Sequence, residues 1–240
     1  MPLRTLTVVG ARPEFVQTAP LARAIEATKG IVGGLIHTGQ HYDYEMSQVF
    51  FSQLELPEPV HHLGVGSGTH GAQTGAMLAG LDEVYDSESP DLVITHGDTN
   101  STLAAALSAA KLGIPVAHVE AGLRSWNRTM PEELNRVVAD HISTWLFCPG
   151  EVAADNLHAE GINEGVFVVG DLMRDSLLWT TRNIDIASTL QRFDVVSGEF
   201  FLATVHRAEN TDDEANLRSI LEGLRRAAQR YPVVLPAHPR

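Results

Sequence analysis

Short apolar runs recur along this chain, each followed by a segment of helical period, and this alternation constrains the fold more than any other feature. Leu6-Thr7-Val8-Val9-Gly10, Leu35-Ile36-His37, Leu92-Val93-Ile94, Pro115-Val116-Ala117, Leu146-Phe147-Cys148 and Val166-Phe167-Val168-Val169 read as buried strands. Between them helices are expected over 13–29, 43–54, 70–85, 101–111, from Pro131 onward, and over 151–159. Met77, Leu78, Leu81 and Val84 mark one apolar face, and Leu134, Val137, Val138 and His141 another. Strands alternating with helices predict a doubly wound α/β domain with a parallel sheet.

A boundary is expected near Gly170, giving a Rossmann-like domain over 1–170 and a second unit over 171–240. A helix is expected over 171–178, and 180–197 reads as polar and weakly patterned. Alternation then resumes with a strand over 200–205, a helix over 213–230 and a strand over 233–235. Two strands do not make an independent sheet, so the second unit reads as the incomplete start of a further Rossmann-like domain.

Composition narrows the function. Hydrophobic residues are 44% of the 240, enough for a core, and the formal net charge is −13. An acidic surface argues against nucleic acid and anionic membranes, which are bound through Lys and Arg. The single cysteine, Cys148, excludes an internal disulfide and a cysteine-rich zinc site, and its apolar setting predicts a buried, inert thiol. No stretch has the length of a membrane span and the N-terminal run has no signal-peptide pattern, so a cytoplasmic location is expected.

Polar clusters end the central strands: His96-Gly97-Asp98-Thr99-Asn100 and His118-Val119-Glu120-Ala121-Gly122, with Pro131-Glu132-Glu133 opening the next helix. Ligands of open parallel sheets bind outside the carboxyl ends of the strands. Asp98, Glu120 and Glu132 would therefore share one edge, where burial and mutual repulsion separate carboxylate pKa values into an acid and a base. Plainer readings exist: Asp98 as a helix N-cap and Glu132 as first-turn charge against the helix dipole. Glu120 has no such alternative.

Other motifs are less specific. Gly10-Ala11-Arg12-Pro13-Glu14 is not a dinucleotide fingerprint, yet Arg12 beside exposed helix N–H groups could grip a phosphate. The glycine-rich loop 64–71 lacks a P-loop ending and reads as a turn. His37, His41, His61, His62, His70, His96 and His118 show no metal-ligand spacing on a helix, and no metal is expected. Gln40 and His41 fall after the second strand on the ligand edge. His206 and Arg207 follow a strand in the second unit, and His238 and Arg240 repeat the pattern.

Together these segments resemble the UDP-N-acetylglucosamine 2-epimerase family, in Gly10-Ala11-Arg12-Pro13-Glu14, Thr38-Gly39-Gln40-His41, His96-Gly97-Asp98-Thr99, His118-Val119-Glu120-Ala121-Gly122-Leu123-Arg124, Pro131-Glu132-Glu133-Leu134-Asn135-Arg136 and His206-Arg207-x-Glu209-Asn210. The resemblance implies a GT-B-like pair of Rossmann-like domains with the site between them, and inversion at C2 of the sugar by elimination and re-addition of UDP. It implies Asp98, Glu120 and Glu132 as acid/base groups and Arg12, Arg136 and His206 as groups that hold the diphosphate or stabilise departing UDP. Gln40 and His41 match a segment near a second UDP-sugar site in some bacterial members. No cofactor is implied; the expected partner is a UDP-sugar, and the expected assembly a homodimer. A hydrolysing relative, an epimerase for a diacetamido uronic acid sugar and a non-catalytic UDP-sugar-binding remnant stand as rivals. The family often has lysine where this chain has Gln17.

Overall fold

The computed structural model describes residues 1–40, 44–205 and 208–236. They divide into two compact units, Met1–Trp179 and Thr180–Arg240.

The first unit is built on one parallel sheet. Its elements are β1 (Leu3–Val9), α1 (Arg12–Ala27), β2 (Ile31–His37), α2 (Tyr44–Leu54), β3 (His61–His62), α3 (His70–Glu88), β4 (Leu92–His96), α4 (Asn100–Lys111), β5 (Val116–Val119), α5 (Pro131–Ile142), β6 (Trp145–Cys148), α6 (Glu151–Ala159), β7 (Val166–Val168) and α7 (Leu172–Asn183), the last of which runs on past Trp179. The strand order is β3-β2-β1-β4-β5-β6-β7. Chain direction across the sheet reverses between β1 and β4, which pair through Thr5–Leu92, Leu6–Val93 and Thr7–Ile94. In a doubly wound sheet this switch point opens a crevice beyond the strand ends.

Burial on both faces makes these strands continuous apolar runs. On one face Leu6, Val8, Ile36 and Val93 pack with Met77, Leu81 and Tyr85 of α3 and an alanine stripe of α4. On the other, Val9 and Leu35 pack with Phe15 and Ala19 of α1 and with Phe51 of α2. The small side chains of Ala104, Ala105, Ala106 and Ala109, all fully buried, let α4 lie close to its neighbours. Cys148 is buried, and burial pushes its thiol up to about 11, the inert state expected.

Two local expectations change. The division falls at Trp179–Thr180, later than Gly170, because the first turns of α7 belong with the first unit. Leu172 packs with Ile94, Ala117 and Val119, and the Ser176 hydroxyl donates to the Val16 carbonyl. In α5 the face carrying Leu134 and Val138 points outward, at 50% and 39% exposure, while Glu133, Asn135, Ala139 and Asp140 are buried. The polar side turns inward because each buried polar group there finds a partner, as described below.

The second unit carries α8 (Ile186–Arg192), β8 (Phe201–Leu202), α9 (Ala208–Thr211), α10 (Glu214–Ala227) and β9 (Val233–Val234), with β8 and β9 parallel. Helix α8 lies in the stretch expected to lack pattern. Asp185 nucleates it by accepting from the Ala187 and Ser188 N–H groups. None of this unit's described residues is buried.

Candidate functional site

The crevice at the switch point is floored by a carboxylate that belongs to the fold. Glu14 is fully buried and accepts from the Gly10 and Ala11 N–H groups, at 2.6 and 2.7 Å, and from the Thr99 and Thr102 hydroxyls, at 2.6 and 3.2 Å. Burial raises its pKa to about 7 despite these four donors. Glu14 thereby occupies the Gly10 and Ala11 N–H groups at the start of α1. Arg12 opens α1 and is half-buried.

The helix following β4 is capped by Thr99, whose hydroxyl oxygen accepts from the Ser101 and Thr102 N–H groups. Asp98 is thus released from the capping role that its sequence position also allowed. Its side chain is one-third exposed and forms an ion pair with Arg136. Arg136 bonds Glu133 on its other side at 2.7 Å, so one guanidinium serves two carboxylates. Asn135 donates to the Asp98 carbonyl at 2.9 Å, fixing the turn against α5.

Glu120 ends β5 with φ +68°, a left-handed conformation that a non-glycine residue adopts only under constraint. Gln17 of α1, itself buried, donates to its carboxylate. Burial raises the Glu120 pKa; the Gln17 bond lowers it, Asp98 and Asp171 raise it, and His118 lowers it. Asp171, at the start of α7, is therefore a further carboxylate near the site. It had no motif to announce it.

Glu132 and Glu133 are sequence neighbours with different fates. Glu133 is buried and accepts from the Ser125 N–H and hydroxyl and the Trp126 N–H, each at 2.9 Å. Burial opposes its ionisation, but these donors and Arg136 outweigh it and hold the carboxyl below the usual range. It anchors the loop 123–130. Glu132 is half-buried and, with Asp98, Thr99, Asn100, Asn135, Ala11, Pro13, Gln40, His70 and Pro131, lines a pocket of about 200 Å³. Gln40 turns its side-chain oxygen to the Ser101 N–H and hydroxyl, at 2.9 and 2.7 Å, so it also helps cap α4. His41 and His206 lie outside the described residues.

The glycine-rich loop runs beside the chain that leaves β2: the Val65 and Gly66 N–H groups donate to the Thr38 and Gly39 carbonyls. Among the described residues no group of three or more His, Cys, Asp or Glu side chains is placed to hold a metal, and no helix is long and apolar enough to cross a membrane.

The family model for UDP-N-acetylglucosamine 2-epimerase matches residues 23–240. The chain belongs to the UDP-N-acetylglucosamine 2-epimerase family. A UDP-N-acetylglucosamine 2-epimerase homolog of Methanococcus maripaludis is 49% identical over 240 residues, covering 99% of this chain and 66% of the relative. The UDP-2,3-diacetamido-2,3-dideoxy-D-glucuronate 2-epimerase of Pseudomonas aeruginosa is 46% identical, covering 99% and 67%. The crystal structure of Methanocaldococcus jannaschii UDP-GlcNAc 2-epimerase in complex with UDP-GlcNAc and UDP superposes with a TM-score of 0.87 at 45% identity, covering 99% of this chain and 67% of that one. This 2-epimerase-family chain thus spans about two thirds of the length of these relatives, and its α/β fold is the GT-B-like Rossmann type that the resemblance implied.

Proposed function

We propose that the protein is a UDP-GlcNAc 2-epimerase, an isomerase that interconverts UDP-GlcNAc and UDP-ManNAc. The observation that carries the reading is the gathering of Asp98, Glu120 and Glu132 at the carboxyl edge of β4 and β5: Asp98 and Glu132 line one pocket, and Asp98 acts on the charge of Glu120. In the forward direction a carboxylate takes the C2 proton, the C1–O bond to UDP breaks with its electrons leaving on the diphosphate, and a C1=C2 double bond forms. Re-addition of UDP at C1 and of a proton to the opposite face of C2 completes the inversion. Such a step needs a base, an acid and cations for the developing charge. Asp98, ion-paired with Arg136, suits the base. Glu120, whose pKa burial raises, suits the proton donor. Glu132 is the third group at the pocket, and Arg12, Arg136 and His206 are assigned to the diphosphate, with Gln40 and His41 beside a second UDP-sugar.

Incubation with UDP-GlcNAc in D₂O tests this. The expected outcome is sustained formation of UDP-ManNAc, with deuterium entering at C2 and without build-up of UDP. Accumulating UDP and free ManNAc would assign the hydrolysing reaction instead, and binding without turnover the non-catalytic remnant. The 46% identity to the diacetamido-glucuronate epimerase favours one second reading, and turnover of that sugar alone would establish it. The reading includes a cytoplasmic homodimer with a part in polysaccharide biosynthesis, taking a UDP-sugar and no cofactor, nucleic acid or membrane; the net charge of −13 supports the last two. Light scattering at the assay concentration checks the dimer.

A further inference from the structure

Two histidines lie on neighbouring central strands, where Thr95 pairs with His118 and His96 with Val119, and their surroundings give them different charge states. His96 on β4 and His118 on β5 are both fully buried. Neither ring nitrogen of His96 has a partner among the described residues, and burial, followed by repulsion from His118, lowers it to about 3. It is a neutral imidazole.

His118 meets an acceptor on each side. Nδ1 lies 2.7 Å from Asp140 Oδ1 and Nε2 lies 2.7 Å from the Gly97 carbonyl. A neutral imidazole has one N–H and one lone pair, so it could satisfy only one of these oxygens. The remaining possibility, a proton on Asp140 shared back to a neutral ring, conflicts with the rest of the Asp140 environment. Asp140 Oδ2 accepts from the Gly122 N–H at 3.1 Å and from Arg124 at 2.6 Å. These donors select the carboxylate, and burial is outweighed, so Asp140 stays below its usual range. Arg124 is itself held by Glu160 through two bonds, at 2.6 and 2.7 Å. Two buried cations thus face two carboxylates, which makes the group neutral as a whole.

We propose that His118 is a fixed imidazolium: a positioning residue that ties together the turns bearing Asp98 and Glu120 and supplies a buried positive charge beside Glu120, without exchanging protons with a ligand. The geometry gives it both tasks. Through Gly97 it grips the turn that ends in Asp98, and through Asp140 it grips Gly122, two residues beyond Glu120. The groups that face it are Asp140 from α5, with Arg124 behind it, His96 from β4 and Glu120 from its own strand end. Glu120 in turn faces Gln17, Asp98 and Asp171, of which none is a cation. Among the described residues, His118 is the positive charge that acts against these two acidic neighbours. The inference rests on the epimerase reading and deepens it by naming a buried cation that acts on its proton donor, after burial, Gln17, Asp98 and Asp171.

The test is a pH titration of ¹³C,¹⁵N-labelled protein by NMR, with free histidine in the same tube as reference and His118 assigned from the His118→Gln spectrum. Both ring nitrogens of His118 are expected to stay protonated to pH 9 while the reference loses its proton. In His118→Gln the midpoint of the Glu120 carboxyl, assigned from Glu120→Gln, is expected to rise by ~0.5 pH or more, since a nearby cation has gone. An unprotonated ring nitrogen at pH 8 in the wild type overturns the proposal even if the variant fails to fold. An unmoved Glu120 midpoint in a folded variant overturns it as well. Neither readout needs turnover, so a wild type that shows the imidazolium but leaves UDP-GlcNAc unchanged locates the error in the assigned reaction.

Discussion

The carboxyl edge of the sheet holds two sets of acidic residues that differ in what surrounds them. At the mouth, Asp98, Glu120 and Glu132 are part-exposed; among the described residues Asp98 pairs with Arg136 and Glu120 accepts from Gln17, while Glu132 lines the pocket. In the frame beneath, Glu14, Glu133 and Asp140 are buried, and each accepts from three or four donors supplied by different segments. The same functional group is therefore left open in one place and tied into the fold in the other. A carboxylate whose lone pairs are filled by the fold has nothing left for a ligand, whereas one with open lone pairs does.

That division can be broken or sharpened by mutation. The largest effects belong to the mouth. Asp98→Asn, Glu120→Gln and Glu132→Gln are each expected to lower turnover by about 10²–10⁴-fold with the melting temperature nearly unchanged, measured by coupled assay and calorimetry. Near-normal rates in all three would dissolve the distinction. In the frame, Asp140→Ala removes one partner from buried His118 and Arg124, and a loss of about 3–5 kcal/mol of stability is expected in urea unfolding. A loss within experimental error would show that the buried network is not structural.

Glu14 gives the frame a pH signature of definite sign. Its folded pKa, about 7, stands above the ordinary 4.5, so the folded state holds the proton more tightly than the unfolded one. Its contribution is therefore full at acid pH and declines as pH rises through 4.5 to 7. Relative to Glu14→Gln, which does not titrate, the wild type should lose on the order of 3 kcal/mol between pH 4.5 and 8. A constant difference would mean that Glu14 is ionised throughout. The smallest effect is at the cap: Thr99→Ala should cost about 1 kcal/mol, and more if its bond to Glu14 matters as much as its bonds to α4.

Much of the fold was legible in the chain. The apolar runs at 6–10, 92–94, 116–117 and 146–148 are strands because both sheet faces are covered, and their lengths and spacing leave few alternatives. The placing of Asp98 and Glu120 just beyond strand ends was legible, because position along a strand decides it. The site was not legible where the choice lay between neighbours. Nothing local separates Glu132 from Glu133; the loop 123–130 folds back onto the second and leaves the first at the pocket. Helix α5 reads as apolar through Leu134 and Val138, yet it buries Asn135 and Asp140, because partners distant in sequence satisfy them. Asp185 as a helix cap could have been found, since Asp ahead of Ile-Ala-Ser is a start signal.

By itself the sequence determined the alternation of strand and helix, the placing of carboxylates at strand ends and the family to which those motifs belong, because each depends on local period or on short strings. The tertiary structure decided which carboxylates are filled and which are open, that the Gly10 and Ala11 N–H groups belong to Glu14, and that His118 is charged while His96 is not. Those outcomes rest on donors brought from segments up to 88 residues away, as Thr102 is brought to Glu14, and on the burial that makes each such bond count.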